Sequence, residues 1–181
     1  MKKILFLLAA TFCFVLSSCN REEMPDGDPS MEHVYYIGFQ QWSAKFDNSI
    51  KYDVNRGDTL GVPVQFYSER VRSYDVAINY YVAGSLVRGV DYNIVDDNGN
   101  VLSPDANGAF ALLWPQAIKG IKRIHIKALN HTAGSFTLLT FNPNATVPIS
   151  STDVNTTTNN KTDEYEVRAF SQNYKVTINV K

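Results

Sequence analysis

The feature that most constrains this chain is a hydrophobic period of two. Leu60, Val62, Val64 and Phe66 alternate with Thr59, Gly61, Pro63 and Gln65. Tyr74, Val76, Ile78, Tyr80 and Val82 alternate with Ser73, Asp75, Ala77, Asn79 and Tyr81. Ile124, Ile126 and Ala128 alternate with Arg123, His125 and Lys127, and Tyr174, Val176, Ile178 and Val180 with Lys175, Thr177, Asn179 and Lys181. Successive side chains of an extended strand point to opposite faces, so each run has one face for a core and one for water. An amphipathic helix would repeat every 3.6 residues instead.

Weaker strand candidates are residues 34–39, 49–54, 92–95, 109–114, 135–141 and 164–170. Turn chemistry separates the runs: Asn55-Arg56-Gly57-Asp58, Asn98-Gly99, Asn107-Gly108 and Asn142-Pro143-Asn144. Asn98-Gly99 predicts a type I′ hairpin turn. Pro63 cannot donate to a ladder, which predicts an edge position or a bulge. Only residues 115–121 suggest a helical turn. About ten short strands with no crossover helix predict an all-β fold, an antiparallel β-sandwich. Residues 150–163 are polar apart from Val154 and rich in Thr and Asn, which predicts a long exposed loop.

The front of the chain reads differently. Met1-Lys2-Lys3 is basic, and residues 4–16 form an apolar run too short to span a bilayer comfortably. The run ends in Leu16-Ser17-Ser18-Cys19, which resembles the bacterial lipobox. That resemblance implies signal removal and acylation of Cys19, and several acyl chains anchor a protein firmly where one would not. Cys19-Asn20-Arg21-Glu22-Glu23 is similar to the surface-export signal of Bacteroidetes lipoproteins. The chain therefore divides into residues 1–18 as a lipoprotein signal peptide, 19–32 as a lipidated flexible tether with Pro25, Gly27 and Pro29, and 33–181 as one domain. The two cysteines, Cys13 and Cys19, both fall in the first two segments, leaving the body none for a disulfide. Loss of Lys2 and Lys3 leaves the 18 acids three in excess of the basic residues. Nothing in that balance favours nucleic acid. With 44% hydrophobic residues the chain is not a disordered one.

Tyr80-Tyr81-Val82-Ala83-Gly84, followed by Gly89-Val90-Asp91-Tyr92-Asn93-Ile94, resembles the Calx-beta type of immunoglobulin-like domain. In that family a strand leads through small residues into Gly-x-Asp-Tyr. A further strand, suggested here between Pro115 and Ile126, and a closing strand over residues 174–180 follow. The resemblance implies an immunoglobulin-like sandwich over roughly residues 48–181. The family's calcium sites use clustered acids after the later strand. Leu129-Asn130-His131-Thr132-Ala133-Gly134 carries none, so no calcium site is carried over.

The chemistry-bearing residues are sparse. His33, His125 and His131 have no nucleophile and acid at recognisable spacing, and His125 sits between Arg123 and Lys127. Metal-ligand spacings are absent, so no metal and no cofactor is expected. Asp96, Asp97, Asn98 and Asn100 are oxygen-rich but lack the glycine and glutamate positions of a calcium loop, and a hairpin turn accounts for them. Arg56-Gly57-Asp58 spells an adhesion tripeptide, but Gly and Asp also suit a turn. Asp58-Thr59-Leu60 is similar to the O-glycosylation acceptor of Bacteroides. Asn130, Asn144, Asn155 and Asn160 begin Asn-x-Thr triplets that read as loop composition.

Alternation turns Tyr67 and Tyr81 outward, and Trp42 lies in the polar stretch Gln40-Gln41-Trp42-Ser43. Flat exposed rings stack on sugar faces, so Trp42, Tyr67 and Tyr81 are the candidate ligand-binding residues. Cross-strand aromatic pairing is the alternative. The reading is of a non-catalytic lipoprotein, lipid-anchored at the outer membrane through Cys19 and exposed on the cell surface. It would bind an extracellular glycan, a host protein or an envelope protein. A structural accessory subunit of an outer-membrane complex is the alternative, and a glycan-active enzyme with paired acids ranks last.

Overall fold

In the computed structural model, residues 31–39, 48–144 and 156–181 are described. The chain divides into two compact units, Met1–Glu32 and His33–Lys181. Among the described residues, the second unit contains eleven strands: β1 (Val34–Gly38), β2 (Lys51–Val54), β3 (Thr59–Tyr67), β4 (Val76–Gly84), β5 (Tyr92–Val95), β6 (Phe110–Trp114), β7 (Gly120–Ala128), β8 (Gly134–Leu139), β9 (Thr156–Lys161), β10 (Glu166–Phe170) and β11 (Lys175–Val180). A 3-10 turn at Pro115–Ala117 joins β6 to β7. Among the described residues no helix is long and apolar enough to cross a membrane.

The strands form two layers of a β-sandwich. One sheet has six strands in the order β5-β7-β3-β1-β10-β9, and the other has five in the order β2-β11-β8-β4-β6. The alternation decides what lies between them. Val62, Val64 and Phe66 of β3, Val76, Ile78 and Tyr80 of β4, Ile124, Ile126 and Ala128 of β7, and Val176, Ile178 and Val180 of β11 share one core. Tyr74 packs on its margin. Phe66 stacks on Trp114 across the layers with ring centroids 5.1 Å apart, and Tyr92 stacks on Phe136 at 4.1 Å. Tyr174 departs from its expected face: it precedes β11 and packs with Phe141 in a separate outer cluster.

The sheets are mixed rather than antiparallel. β1 runs parallel to β10, and β2 runs parallel to β11. Both early strands find partners among the last strands of the chain, one in each sheet. Period-two alternation is the same in parallel and antiparallel pairs, so the pattern carries no information on direction.

Pro63 does not lie in an edge strand, because β3 sits between β7 and β1. Its accommodation is local. β7 pairs with β3 from Thr59 to Phe66, whereas β1 pairs only with Gln65, Phe66 and Tyr67. Among the described residues, Pro63 therefore has a strand on one side only.

The Thr- and Asn-rich stretch is not a loop throughout. Thr156–Lys161 forms β9 at the end of the six-stranded sheet, and Asn159 is only 8% exposed. Its role follows from a gap beside β4. β8 pairs with β4 only from Tyr81 to Gly84, which leaves Ala77 and Asn79 without a described strand partner on the side away from β6. The Asn79 N–H donates to Oδ1 of Asn159 at 2.8 Å, and Nδ2 of Asn159 donates back to the Asn79 carbonyl at 2.6 Å. Nδ2 of Asn159 also reaches the Thr140 carbonyl. Asn160 Nδ2 donates to the Ala77 carbonyl at 2.8 Å, and the Ala77 N–H donates to the Tyr165 hydroxyl at 3.1 Å. An amide side chain carries both a donor and an acceptor, so Asn159 replaces a missing strand residue and joins the two sheets. Polarity alone could not predict this burial.

Replacing Asn159 with Leu strands the Asn79 N–H and two carbonyls, and each buried group left unmade costs about 1–3 kcal/mol. The expected loss is on the order of 3 kcal/mol or more, read by urea denaturation. Ile78→Ala, a cavity in the fully buried core, is expected to cost about 2–5 kcal/mol in the same measurement.

Candidate functional site

The Gly-x-Asp-Tyr motif is a structural bracket. Asp91 is 4% exposed, and its Oδ2 accepts from the Val87 N–H at 2.7 Å. The Asp91 N–H returns to the Val87 carbonyl at 2.8 Å, and the Asp91 carbonyl accepts from Leu129 N–H at 2.8 Å. The other oxygen, Oδ1, lies 2.6 Å from Nδ1 of His131. The Val87 amide first, and His131 next, hold the Asp91 carboxyl below the ordinary carboxylate range. Thr132 Oγ1 lies 2.8 Å from the same Nδ1. A nucleophile relay places its acid on one ring nitrogen and its hydroxyl on the other. Here both meet Nδ1, which is the geometry of a loop clasp.

The Asp96–Asn100 loop has the same character. Asp96 Oδ1 accepts from the N–H groups of Asn98 and Asn100 at 2.9 and 2.8 Å, and Oδ2 accepts from Asn100 Nδ2 at 2.9 Å. These bonds, led by that from the Asn100 side chain, lower the Asp96 carboxyl below its usual range. Gly99 takes φ +85° while Asn98 does not enter the left-handed region, so the turn is not type I′. The Gly99 N–H bonds the Asp96 carbonyl, and the Asp96 N–H bonds the Asn100 carbonyl. This is a type I turn followed by a glycine bulge, and the aspartate side chain selects it by bonding the loop amides. Asp105 repeats the arrangement, accepting from Asn107 and Ala109 N–H groups at 2.8 Å each.

Arg56-Gly57-Asp58 is a turn between β2 and β3 that is fastened to its surroundings. Arg56 N–H donates to the Lys181 carbonyl at 3.0 Å, and its Nη1 donates to the His131 carbonyl at 3.2 Å. Gly57 N–H donates to the Ala128 carbonyl, and Lys127 Nζ donates to the Gly57 carbonyl. Thr59 is exposed at the start of β3, as its alternation expects. His125 Nε2 lies 3.0 Å from Asp97. His33 Nδ1 lies 2.7 Å from the Tyr74 hydroxyl, which in turn lies 2.8 Å from that of Tyr35. Among the described residues, no cluster of three His, Cys, Asp or Glu is arranged to hold a metal.

The aromatic residues do not assemble as one platform. Tyr67 is on β3 of the six-stranded sheet, and Tyr81 is on β4 of the five-stranded sheet. Each faces away from the shared core, so they lie on opposite outer faces. Tyr67 is half-buried, edge-on to Phe170 at 6.2 Å, and Phe170 stacks on Tyr36 at 5.3 Å. Tyr81 is not exposed. It is 8% accessible and packs with Ala109, Leu139, Phe141 and Tyr174. The outward face of β4 carries its own small apolar layer, which alternation alone does not reveal. Trp42 and Cys19 lie outside the described residues.

Sequence reasoning missed the corner between β6 and β7. Gln116 and Ala117 both take positive φ, +53° and +52°, although neither is glycine. Left-handed backbone at a residue with a Cβ costs about 1–3 kcal/mol and persists only where surroundings enforce it. The enforcing contacts are plain: Gln116 N–H donates to Asp75 Oδ1 at 2.9 Å, its carbonyl accepts from Arg72 N–H at 2.7 Å, and Ala117 is fully buried. Around this corner the aliphatic side chains of Val71, Leu113, Ile118 and Ile121 are exposed, Leu113 to 47%. The Pro-Gln-Ala stretch gave only a helical turn as a signal.

No protein-family model matches the chain, and no curated protein matches it. Among solved structures, it is similar to a chain of the crystal structure of the CaDoc0917–CaCohA2 complex at pH 5.5. The identity is 15% and the TM-score 0.35, over 82% of this chain and 99% of that one.

Asp53, Asp91, Asp96 and Glu166 all have carboxyl groups lowered from their ordinary values by hydrogen bonds, led by Lys181, Val87, Asn100 and Arg168 respectively. A lowered folded-state value stabilises the fold above the unfolded-state value, and that stabilisation disappears as pH falls through the folded one. The melting temperature is therefore expected to hold between about pH 5 and 7 and to fall below about pH 4. Scanning calorimetry across that range tests it. Asp91→Asn should flatten part of the fall.

Proposed function

We propose that this chain is a non-catalytic binding module, tethered through Cys19 to the outer membrane and facing the cell exterior, where it engages a glycan or a protein. The observation that carries this reading is how the acidic side chains are used. Asp91, Asp96 and Asp105 each lock a loop by accepting backbone amides of their own turn. Loops held this way keep their shape before any ligand arrives, which lowers the ordering cost of binding. A rigid sandwich with fixed loops is a frame for recognition. Trp42 and Tyr67 remain the candidate sugar-stacking rings, and Tyr81 is the weakest of the three because it is packed beneath neighbours.

A second reading, docking on an envelope protein as an accessory subunit, is supported by the exposed aliphatic residues at the β6–β7 corner. Grouped apolar side chains on a surface mark interaction sites more often than scattered ones do.

Two measurements separate these readings. On a glycan array the chain is expected to retain a glycan, and Trp42→Ala to abolish retention with an unchanged melting temperature. Retention by the Trp42, Tyr67 and Tyr81 alanine variants alike would discard the aromatic site. Capture of a stoichiometric outer-membrane protein, lost on Leu113→Lys, would favour the second reading. Mass spectrometry of the mature amino terminus is expected to find acylated Cys19, and an unacylated cysteine there would remove the surface anchor.

A further inference from the structure

β6 ends the five-stranded sheet, and no described strand lies beyond it. The direction of its backbone groups follows from β4. Ala77 and Asn79 direct their N–H and C=O groups toward Tyr165, Asn160 and Asn159. Backbone groups alternate sides along a strand, so Val76, Ile78 and Tyr80 make the ladder to Trp114, Leu112 and Phe110. Ala111 and Leu113 must therefore direct their N–H and C=O groups outward, to the open edge. The Leu113 carbonyl accepting from Lys122 Nζ of β7 agrees with this.

The other three sheet edges carry protection. β5 is followed by a return of the chain, with Val95 bridged to Val101 and Leu102 N–H donating to the Ile94 carbonyl. β9 is polar, ends in Lys161, and pairs with β10 through a register shift. β2 carries Lys51 and Asp53, the latter paired with Lys181. β6 reads Phe-Ala-Leu-Leu-Trp, with no charge, and its outward side chains Ala111 and Leu113 are exposed. Lys122, over the Trp114 ring and on the Leu113 carbonyl, and Arg88, over the Phe110 ring, lie beside it, and neither is a strand. Uncharged apolar edges recruit another strand.

The charge along this edge decides which strand fits. The Asp105 turn flanks the start of β6, with the Asp105 N–H on the Ala109 carbonyl. Exposed Lys119 and half-buried Lys122 flank its end. Arg88 also stands at the start, 5.9 Å from the Phe110 ring, and Asp75 at the end, where it accepts the Gln116 N–H. Each end thus carries both signs, and an antiparallel copy of the same strand sets Asp105 against Lys119 and Lys122, and Arg88 against Asp75.

We propose that β6 pairs antiparallel with β6 of a second copy of this chain, across a two-fold axis at Leu112. Ala111 of each copy then faces Leu113 of the other, and their outward N–H and C=O groups exchange reciprocal hydrogen bonds. Lys122 leaves its own Leu113 carbonyl and turns to the Asp105 turn of the other copy. The two five-stranded sheets become one continuous sheet, with Leu113 side chains covered on its outer face. The pairing edge belongs to the five-stranded sheet, whereas Tyr67 lies on the six-stranded one; it shares the β6–β7 corner with the accessory-subunit reading, from which self-pairing of purified chain separates it.

The test uses the full chain in mild detergent, with Cys13→Ser and Cys19→Ser so that no native thiol interferes. At the two-fold axis the Leu112 positions form a close, non-hydrogen-bonded pair, with Cα atoms about 4.5 Å apart, within disulfide reach. Leu112→Cys is expected to give a covalent dimer under mild oxidation, while Lys51→Cys on the opposite edge of the same sheet stays monomeric. Sedimentation equilibrium of the chain without added cysteine is expected to show a monomer–dimer equilibrium. Leu113→Lys, an exposed position, should weaken it about ten-fold or more while leaving the melting temperature unchanged, because it puts like charges into the pairing edge. Higher salt should weaken it too. A monomer at every concentration, or a dimer that ignores Leu113→Lys and fails to cross-link through Leu112→Cys, overturns the proposal.

Discussion

The fold depends on a single constraint: the alternate apolar faces of ten of the described strands must be buried against one another at once. Phe66, Ile78, Ile126 and Ile178 come from four strands in two sheets, and all four are fully buried in the same core. Interiors of this kind are packed as densely as organic crystals, so the Phe66–Trp114 stack across the layers fixes how the sheets sit. Everything outside the core is then free to serve either the sheet edges or the loops. The polar residues do both, with side-chain oxygens and amides, among them the buried carboxylate of Asp91.

Two devices recur. Aspartates close turns by accepting amides of the turn itself, at Asp91, Asp96 and Asp105. Asparagine side chains complete ladders that the strands leave unfinished, at Asn159 and Asn160. Both satisfy buried or loop backbone groups that would otherwise cost free energy. A body without cysteines, and with no α-helix among its described residues, thereby gains fixed loops from hydrogen bonding. The β6–β7 corner uses an aspartate too, with Asp75 accepting the Gln116 N–H, yet it stands out because the aliphatic side chains of Leu113 and Ile118 beside it are exposed.

Much of the strand inventory was legible in the residues. The four strong alternating runs became β3, β4, β7 and β11 with their apolar sets inward, and the weaker candidates became β1, β2, β5, β6, β8 and β10. What escaped was β9, because Thr and Asn carry no apolar alternation. The burial of Tyr81 escaped for a related reason: alternation assigns a face, and it does not say whether that face is covered. The Asn98-Gly99 dipeptide marked a turn correctly but not its type, since Asp96, two residues earlier, selects it. Tyr67 and Tyr81 were separated by sheet assignment, which no local pattern encodes.

By itself the sequence determined that the body would be extended chain with one dry face per strand, and where most strands would begin and end. Side-chain direction in a strand is a local property of the backbone, so a period of two can be read directly. Tertiary structure alone decided which strands became neighbours, that two of the pairings run parallel, and which edge was left open. Those outcomes depend on contacts between residues far apart in the chain, such as Val34 with Glu166 and Val180 with Val54. Local pattern leaves them open because the same alternation suits every partner and either direction.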